Sequence, residues 1–333
     1  MNIGIIGLGY WGPNLVRNAI MNDHIHKVYC FDRDESRLQK MKKTFDSVIC
    51  CNKLEDILGA DEIDSVAIVT PVETHYGLAK EALNHGKNIL VEKPFMSSVA
   101  EAEEILELAD RKGLITMVDH TFIYTSAVRK IKELIDSGEL GELYYYDSVR
   151  VNLGLFQRDV NVIWDLAPHD FSIMNYLIGR EPKTVQAMGG DHVGKGLEDV
   201  AYVHIDFGDN LTAHFHLNWL SPLKLRKTLL AGSKKMVVYD DMENSEKIKV
   251  YNKGIDVKTK EDEYKMLIKY RWGDMYSPAL DNVEALQAML QEFVDAVDGK
   301  RNPITSGRDG LNVVKILEAT QWSIKNRGTV VEI

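Results

Sequence analysis

A glycine triplet set directly after an apolar run constrains this chain more than any other feature. Met1 to Ile6 reads as a short buried strand, Gly7, Gly9 and Gly12 form GxGxxG, a helical pattern opens at Tyr10, and Asp32 closes the next strand. Each glycine has a physical task. Gly7 permits the tight turn out of the strand, Gly9 lets backbone approach a pyrophosphate, and Gly12 lets the helix pack close to the sheet. The helix start then offers unpaired N–H groups to phosphate oxygens. GxGxxG alone is a weak signal, because glycine-rich turns are common. A strand before it, a helix after it and an acid about twenty residues further on together describe a dinucleotide-binding unit.

Asp32 also bears on which dinucleotide is bound. A carboxylate there accepts hydrogen bonds from the adenosine ribose hydroxyls and repels a 2'-phosphate, so NAD is expected ahead of NADP. Arg33 keeps NADP open, since an adjacent guanidinium can stack on adenine or pair with a phosphate. Asp32 acting only as a cap on the helix through Arg37 and Met41 is compatible with both. Tyr10 and Trp11, inside the same turn, are expected to line the cofactor.

At 333 residues with 45% hydrophobic content, the chain can bury two cores, and the size prior suggests about two domains. Its net charge of -10, offset by no basic block, argues against a nucleic-acid polymer as partner. Cys30, Cys50 and Cys51 are odd in number and lack zinc-ligand spacing, so they read as strand residues in a reducing compartment. The amino terminus has no basic leader, and no apolar run approaches ~18 residues. A cytoplasmic protein with no membrane partner is expected.

From residue 1 to about 120, apolar runs alternate with amphipathic segments, the pattern of a doubly wound parallel sheet with helices on both faces. The runs are Ile3 to Ile6, Val28 to Phe31, Ser47 to Cys50, Val66 to Val69, Ile89 to Val91 and Ile115 to Val118. After a helix near Ala127 to Ile135 the texture changes to strands with little helix between them, from Leu143 to Tyr239. Gly208, Asp209 and Asn210 mark a hairpin turn. A second α+β domain with a large, open, mainly antiparallel sheet is therefore expected over 121–333, ending in helices Glu284 to Val297 and Leu311 to Lys325.

Two clusters can carry chemistry. Glu92, Lys93 and Pro94 follow the strand Ile89 to Val91, at the sheet edge where ligands bind in this architecture. Pro94 biases Lys93 away from helical dihedrals. A surface lysine at a turn is the plainer reading of this tripeptide taken alone. In the second cluster, Trp164 to Asp170, Asp165 and His169 stand four apart and share a face if the segment is helical. A carboxylate beside an imidazole fixes its tautomer and stabilises the imidazolium, which suits a proton acceptor and equally suits a buried structural pair.

Together these residues resemble the glucose-fructose oxidoreductase, inositol dehydrogenase and MocA (Gfo/Idh/MocA) family. The resemblance runs from GxGxxG through Glu92, Lys93 and Pro94 to Asp165 and His169. It includes Thr70, Pro71 and His75 after the fourth strand, and the stretch Ile131 to Gly141. It implies a Rossmann domain followed by a domain whose open sheet carries substrate contacts and often an oligomer interface, giving a homodimer or homotetramer. Lys93, Asp165 and His169 would be catalytic. Gly7, Gly9, Tyr10, Trp11, Gly12, Asp32, Arg33, Thr70, Pro71, His75, Glu92 and Lys93 would line the cofactor. The proton of a substrate hydroxyl would pass to His169, with Lys93 stabilising alkoxide charge, or to Lys93 itself.

Within the family, the WDLAPHD string and the stretch Tyr270 to Asp281 look like the branch acting on nucleotide-linked sugars. That likeness implies oxidation of the 3-hydroxyl of a sugar such as UDP-N-acetylglucosamine, preparing it for an aminotransferase. A diphosphate needs donors, and Arg150, Asn152, Arg158, Lys224 and Arg271 are available, although each taken singly reads as a solvated surface group. Tyr124 lies on the expected substrate-side loop, where Tyr124, Thr125 and Ser126 replace the basic residue and proline of many relatives. His214 and His216 face one side of a strand without a spaced acid or cysteine, so no metal is expected; His192 and His204 read as structural, and Trp219 as core. Competing functions are an inositol or free-sugar dehydrogenase, a nucleotide-sugar ketoreductase, and a non-catalytic dinucleotide sensor.

Overall fold

The computed structural model describes residues 1–154, 160–256 and 269–333. The chain divides into two compact units, Met1–Thr125 with Val283–Lys315, and Ser126–Asn282 with Ile316–Ile333.

The first unit is built on six parallel strands: β1 (Asn2–Ile6), β2 (Lys27–Phe31), β3 (Val48–Cys50), β4 (Ser65–Ile68), β5 (Asn88–Glu92) and β6 (Thr116–Asp119). Their order is β3-β2-β1-β4-β5-β6, the doubly wound arrangement whose reversal point lies between β1 and β4. Every residue of β4 is buried, as a strand covered on both faces requires. The crossovers are α1 (Gly12–Ile20), α2 (Glu35–Thr44), the short α3 (Glu55–Leu58), α4 (His75–Asn84) and α5 (Val99–Lys112). Local chemistry sets their ends. Asp34 caps α2 by accepting from the Ser36 N–H, and Ser98 caps α5 by accepting from the Glu101 N–H. Gly113 closes α5 in the left-handed conformation.

Residues 283–315 correct the expected division, in which everything after residue 120 belongs to the second domain. The helix Ala285–Val297 is tied to α1 and the residues after it: the Asn18 amide donates to Glu284 and the Asn22 amide to Gln291, each at 3.0 Å. The last long helix, Gly307–Lys325, starts earlier than the Leu311 expected from the pattern. Gly307 and Gly310 explain the discrepancy. A Cβ on Gly307 would lie 2.5 Å from a Leu106 methyl, and one on Gly310 would lie 2.6 Å from a Val118 methyl. Glycine, a weak helix former, is used there to let the helix approach α5 and β6.

The second unit opens with α6 (Ser126–Asp136) and holds a sheet of nine strands. These are β7 (Leu143–Leu153), β8 (Thr184–Gly190), β9 (Val200–Gly208), β10 (Leu211–Asn218), β11 (Leu220–Gly232), β12 (Met236–Asp240), β13 (Ile248–Asp256), β14 (Lys269–Tyr276) and β15 (Val331–Glu332). The order is β14-β13-β12-β11-β7-β10-β9-β8-β15, with β7 and β10 parallel and every other neighbouring pair antiparallel. The expected hairpin joins β9 and β10, with positive φ at Gly208, Asp209 and Asn210. One face is covered by α7 (Val162–Ile178), where Phe171 meets Phe215 edge to face at 4.9 Å. On the other, Tyr202, His214 and Met188 stand exposed, and β9 alternates buried and open along its length. Among the described residues, no helix is long and apolar enough to cross a membrane.

Candidate active site

The glycine turn leaves β1 and enters α1, and its three glycines answer to different neighbours. Gly7 has φ +100°, and a Cβ there would sit 2.3 Å from the Val69 carbonyl oxygen. A Cβ on Gly12 would sit 2.2 Å from the Gly7 oxygen. Both residues are therefore glycine because the protein's own backbone fills the space. Gly9 differs: its nearest neighbour would be an Arg37 nitrogen at 3.7 Å. A side chain is missing at Gly9 where the protein itself does not forbid one, which fits a site kept open for a pyrophosphate. No side chain caps the start of α1; Pro13 carries no N–H there, and the Asn14 and Leu15 N–H groups donate to the Trp11 carbonyl at 2.9 and 3.4 Å.

Asp32, at the end of β2, is fixed by backbone. Its Oδ2 accepts from the Leu8 N–H at 2.6 Å and its Oδ1 from the Asp34 N–H at 2.8 Å. Arg33 is exposed, and the guanidinium that reaches Asp32 is that of Arg37, at 3.3 Å. Tyr10 is almost fully exposed on the turn, whereas the Trp11 indole donates to Asp119 at 3.0 Å and so ties the turn to the end of β6. Thr70 and Pro71 lie in the loop after β4. His75 is fully buried, with Nε2 2.8 Å from the Thr70 oxygen and Nδ1 3.0 Å from the Pro94 oxygen. Burial lowers its pKa, opposed by the Thr70, Pro94 and Phe95 carbonyls around the ring. Its ring thus ties the loop after β4 to the loop after β5.

Lys93 follows β5 among titratable groups that the sequence reading only partly anticipates. Glu92 and Asp119 are register partners at the carboxyl ends of β5 and β6. Burial and the neighbouring Asp119 charge push Glu92 up to about 8, against the opposing pull of Lys93, while its Oε2 accepts from the Lys93 N–H at 2.8 Å. Burial likewise raises Asp119, although Thr121 and Trp11 donate to it. His120, buried beside them, is held neutral by burial and by the Lys93 charge, with a pKa near about 3. Asp119 and His120 carry no motif in the sequence; their only signal there is their position at and just after a strand end.

Asp165 and His169 lie one turn apart on α7, both partly exposed. Asn161 starts the helix by accepting from the Ile163 and Trp164 N–H groups at 3.2 and 3.1 Å, and Gly179 ends it in the left-handed conformation. Trp219 is buried as expected, but its indole N–H donates to Asp165 at 3.2 Å, giving that carboxylate an orienting partner from the sheet.

Three of the expected substrate contacts have partners within the fold. Arg150 is buried and bidentate with Asp170, at 2.5 and 3.4 Å, with Ser148 also donating to that acid, so its charge is already matched inside the second unit. Arg271 donates to Asn252 at 3.0 Å and to the Ser233 and Lys234 carbonyls, fastening β14 to a turn. Tyr124 is 3% exposed, with its hydroxyl 2.9 Å from Glu292 and 3.0 Å from Thr305 in the first unit. Asn152 remains half-buried and Lys224 exposed, and Arg158 lies outside the described residues. His214 and His216 share a face, stacked on Tyr202 with ring centroids 6.5 and 4.5 Å away. Among the described residues, no group of three or more His, Cys, Asp or Glu is arranged to hold a metal.

Comparison with known proteins identifies the family. Residues 1–120 match the Gfo/Idh/MocA oxidoreductase family, NAD-binding Rossmann fold, and residues 128–238 match its carboxyl-terminal domain. A scyllo-inositol 2-dehydrogenase (NADP(+)) of Bacillus subtilis is 24% identical, over 99% of this chain and 95% of that protein. Among solved structures, a UDP-N-acetylglucosamine 3-dehydrogenase from Acidithiobacillus ferrooxidans is similar with a TM-score of 0.79 at 21% identity, covering 98% of each chain. An oxidoreductase from Agrobacterium radiobacter, solved with NAD+, L-tartaric acid and magnesium, has a TM-score of 0.84 at 18% identity, covering 100% of this chain and 98% of that one. The protein belongs to the Gfo/Idh/MocA family of oxidoreductases, and its amino-terminal unit is an NAD-binding Rossmann domain.

Proposed function

We propose that the protein oxidises a secondary hydroxyl, that at carbon 3, of a nucleotide-linked amino sugar such as UDP-N-acetylglucosamine. The observation that carries the enzymatic reading is the occurrence, in one chain of this family, of a lysine at the carboxyl end of β5 and an Asp165/His169 pair one turn apart on a capped helix. NAD, when bound, accepts the hydride from the carbinol carbon. His169 takes the hydroxyl proton as base, and Asp165, itself held by Trp219, stabilises the imidazolium. Lys93 donates to the same oxygen and stabilises developing alkoxide charge. A dinucleotide sensor would need neither Lys93 nor His169.

The WDLAPHD string supports the nucleotide-sugar substrate. The ketone product would suit a pathway aminotransferase, and the open sheet face suits a homodimer or homotetramer. An inositol or free-sugar substrate is the second reading. Two observations favour it: the inositol dehydrogenase relative, and the engagement of Arg150 and Arg271 within the fold, which removes two donors from a diphosphate.

The test is mass spectrometry after incubating the protein and NAD with UDP-N-acetylglucosamine, its uronic acid, glucose or myo-inositol, with hydroxylamine to trap ketone. An oxime on a UDP-sugar alone is expected. An oxime on inositol or glucose alone would move the protein to the second reading.

A further inference from the structure

We infer that Glu92 gives up a proton when the oxidised cofactor binds and takes one up when the nicotinamide is reduced, so that the preference for NAD+ over NADH rises with pH. The inference rests on the dinucleotide-binding unit and holds for any substrate. In a doubly wound sheet the two mononucleotide halves of the cofactor lie on either side of the reversal point. Asp32, after β2, marks the adenosine half, so the nicotinamide half falls at the carboxyl ends of β4, β5 and β6. Glu92 and Asp119 are the last residues of β5 and β6 and are register partners. The Trp11 indole, on the glycine turn, donates to Asp119 at 3.0 Å and joins this acid pair to the rim that carries the pyrophosphate.

The charged and titratable groups at this rim are few. Lys93 follows Glu92 directly, Asp119 and His120 come from β6 and the residue after it, and His75, from α4, is turned to the Thr70 and Pro94 carbonyls. His120 is buried, neither ring nitrogen has a hydrogen-bond partner, and the ring stays neutral, so it offsets neither acid. Asp119 accepts from both Thr121 and Trp11, which favours its charged form. Glu92 accepts from the Lys93 N–H, and burial with the Asp119 charge makes it the member that holds a proton near neutral pH. With Glu92 protonated, Lys93 and Asp119 cancel and the cluster is neutral. An oxidised nicotinamide ring adds one positive charge, which loss of the Glu92 proton cancels. Hydride transfer then neutralises the ring, and a proton from solvent returns to the carboxylate. Both redox states leave a buried site without net charge, the condition that desolvation favours.

The test is calorimetric binding of NAD+ and of NADH to wild type and to Glu92→Gln, from about pH 6 to about pH 9. The two cofactors share adenine, riboses and pyrophosphate, so the ratio of their dissociation constants isolates the ring charge. In wild type NAD+ is expected to gain about tenfold on NADH across that range. At about pH 7.5, NAD+ binding should release about half a proton more than NADH binding does, read from the dependence of the heat on the buffer's ionisation enthalpy. Glu92→Gln cannot ionise and should hold the ratio within about twofold at every pH. Asp119→Asn removes the charge that raises Glu92 and should move the rise to lower pH. A ratio that stays flat in wild type, or climbs as steeply in Glu92→Gln, would overturn the inference, as would a rise moved to higher pH in Asp119→Asn.

Discussion

In the first unit the site is shaped by backbone: Gly7 and Gly12 are glycine because carbonyl oxygens lie where their side chains would be, and Asp32 is fixed by two main-chain N–H groups. In the second unit the residues proposed for the chemistry are side chains on one helix. Asp165 and His169 project from α7, steadied by the Asn161 cap and the Trp219 indole. A site shaped by backbone tolerates few substitutions. A side-chain site can change its substrate by exchanging single residues while the helix under it stays as it is. The substrate is accordingly the harder property to read.

Substitutions can break this contrast. The largest effect is expected away from both sites, at the buried Arg150–Asp170 pair. Arg150→Ala leaves Asp170 charged and buried, and denaturant unfolding should show a loss of about 3–5 kcal/mol. If Arg150 instead served a substrate diphosphate, stability would hold and KM would rise. Next come Lys93→Ala and His169→Ala, each expected to lower turnover by about 100-fold or more with NAD affinity nearly unchanged. Near-normal turnover in either variant removes that residue from the mechanism.

The glycines sharpen the comparison further. Gly12→Ala should cost about 1–3 kcal/mol of stability through overpacking against the Gly7 carbonyl. Gly9→Ala should leave the melting temperature nearly unchanged and weaken dinucleotide binding in calorimetry. Equal destabilisation by both would show that Gly9 answers to the fold.

The last comparison is a pH dependence, read across conditions at Glu92. The folded pKa of Glu92 is raised from 4.5 to about 8, so the folded state holds its proton more tightly and stability falls as pH climbs between those values. Glu92→Gln cannot ionise. Its melting temperature relative to wild type should therefore rise from pH 5 to 8 and level off above. A flat difference would mean that Glu92 titrates normally.

The parts of the fold legible in the sequence are those with local causes. Gly7 in the glycine turn and the Gly208–Asn210 hairpin take positive φ, and the buried β4 carries most of the apolar run Val66 to Val69. The unread parts have distant causes. Arg150 looks like any strand arginine until α7 brings Asp170 to it, and Tyr124 looks like a loop residue until Glu292, far along the chain, meets its hydroxyl. Residues 283–315 carry an ordinary amphipathic pattern that does not say which core it joins. Lys93, Asp165 and His169 are visible as motifs. The contacts of Arg37 and Trp219 are not, because a guanidinium reaches back to Asp32 and an indole reaches Asp165 across 54 residues.

The central claim, hydride transfer from carbon 3 of a nucleotide-linked amino sugar to NAD, is tested most directly by isotope transfer. UDP-N-acetylglucosamine carrying deuterium at carbon 3 would be incubated with the protein, NAD and a ketone trap, and the nicotinamide product weighed by mass spectrometry. Deuterium in the reduced cofactor, absent when the label sits at carbon 4, is the predicted result. Unlabelled reduced cofactor, or label arriving only from carbon 4, would contradict the claim.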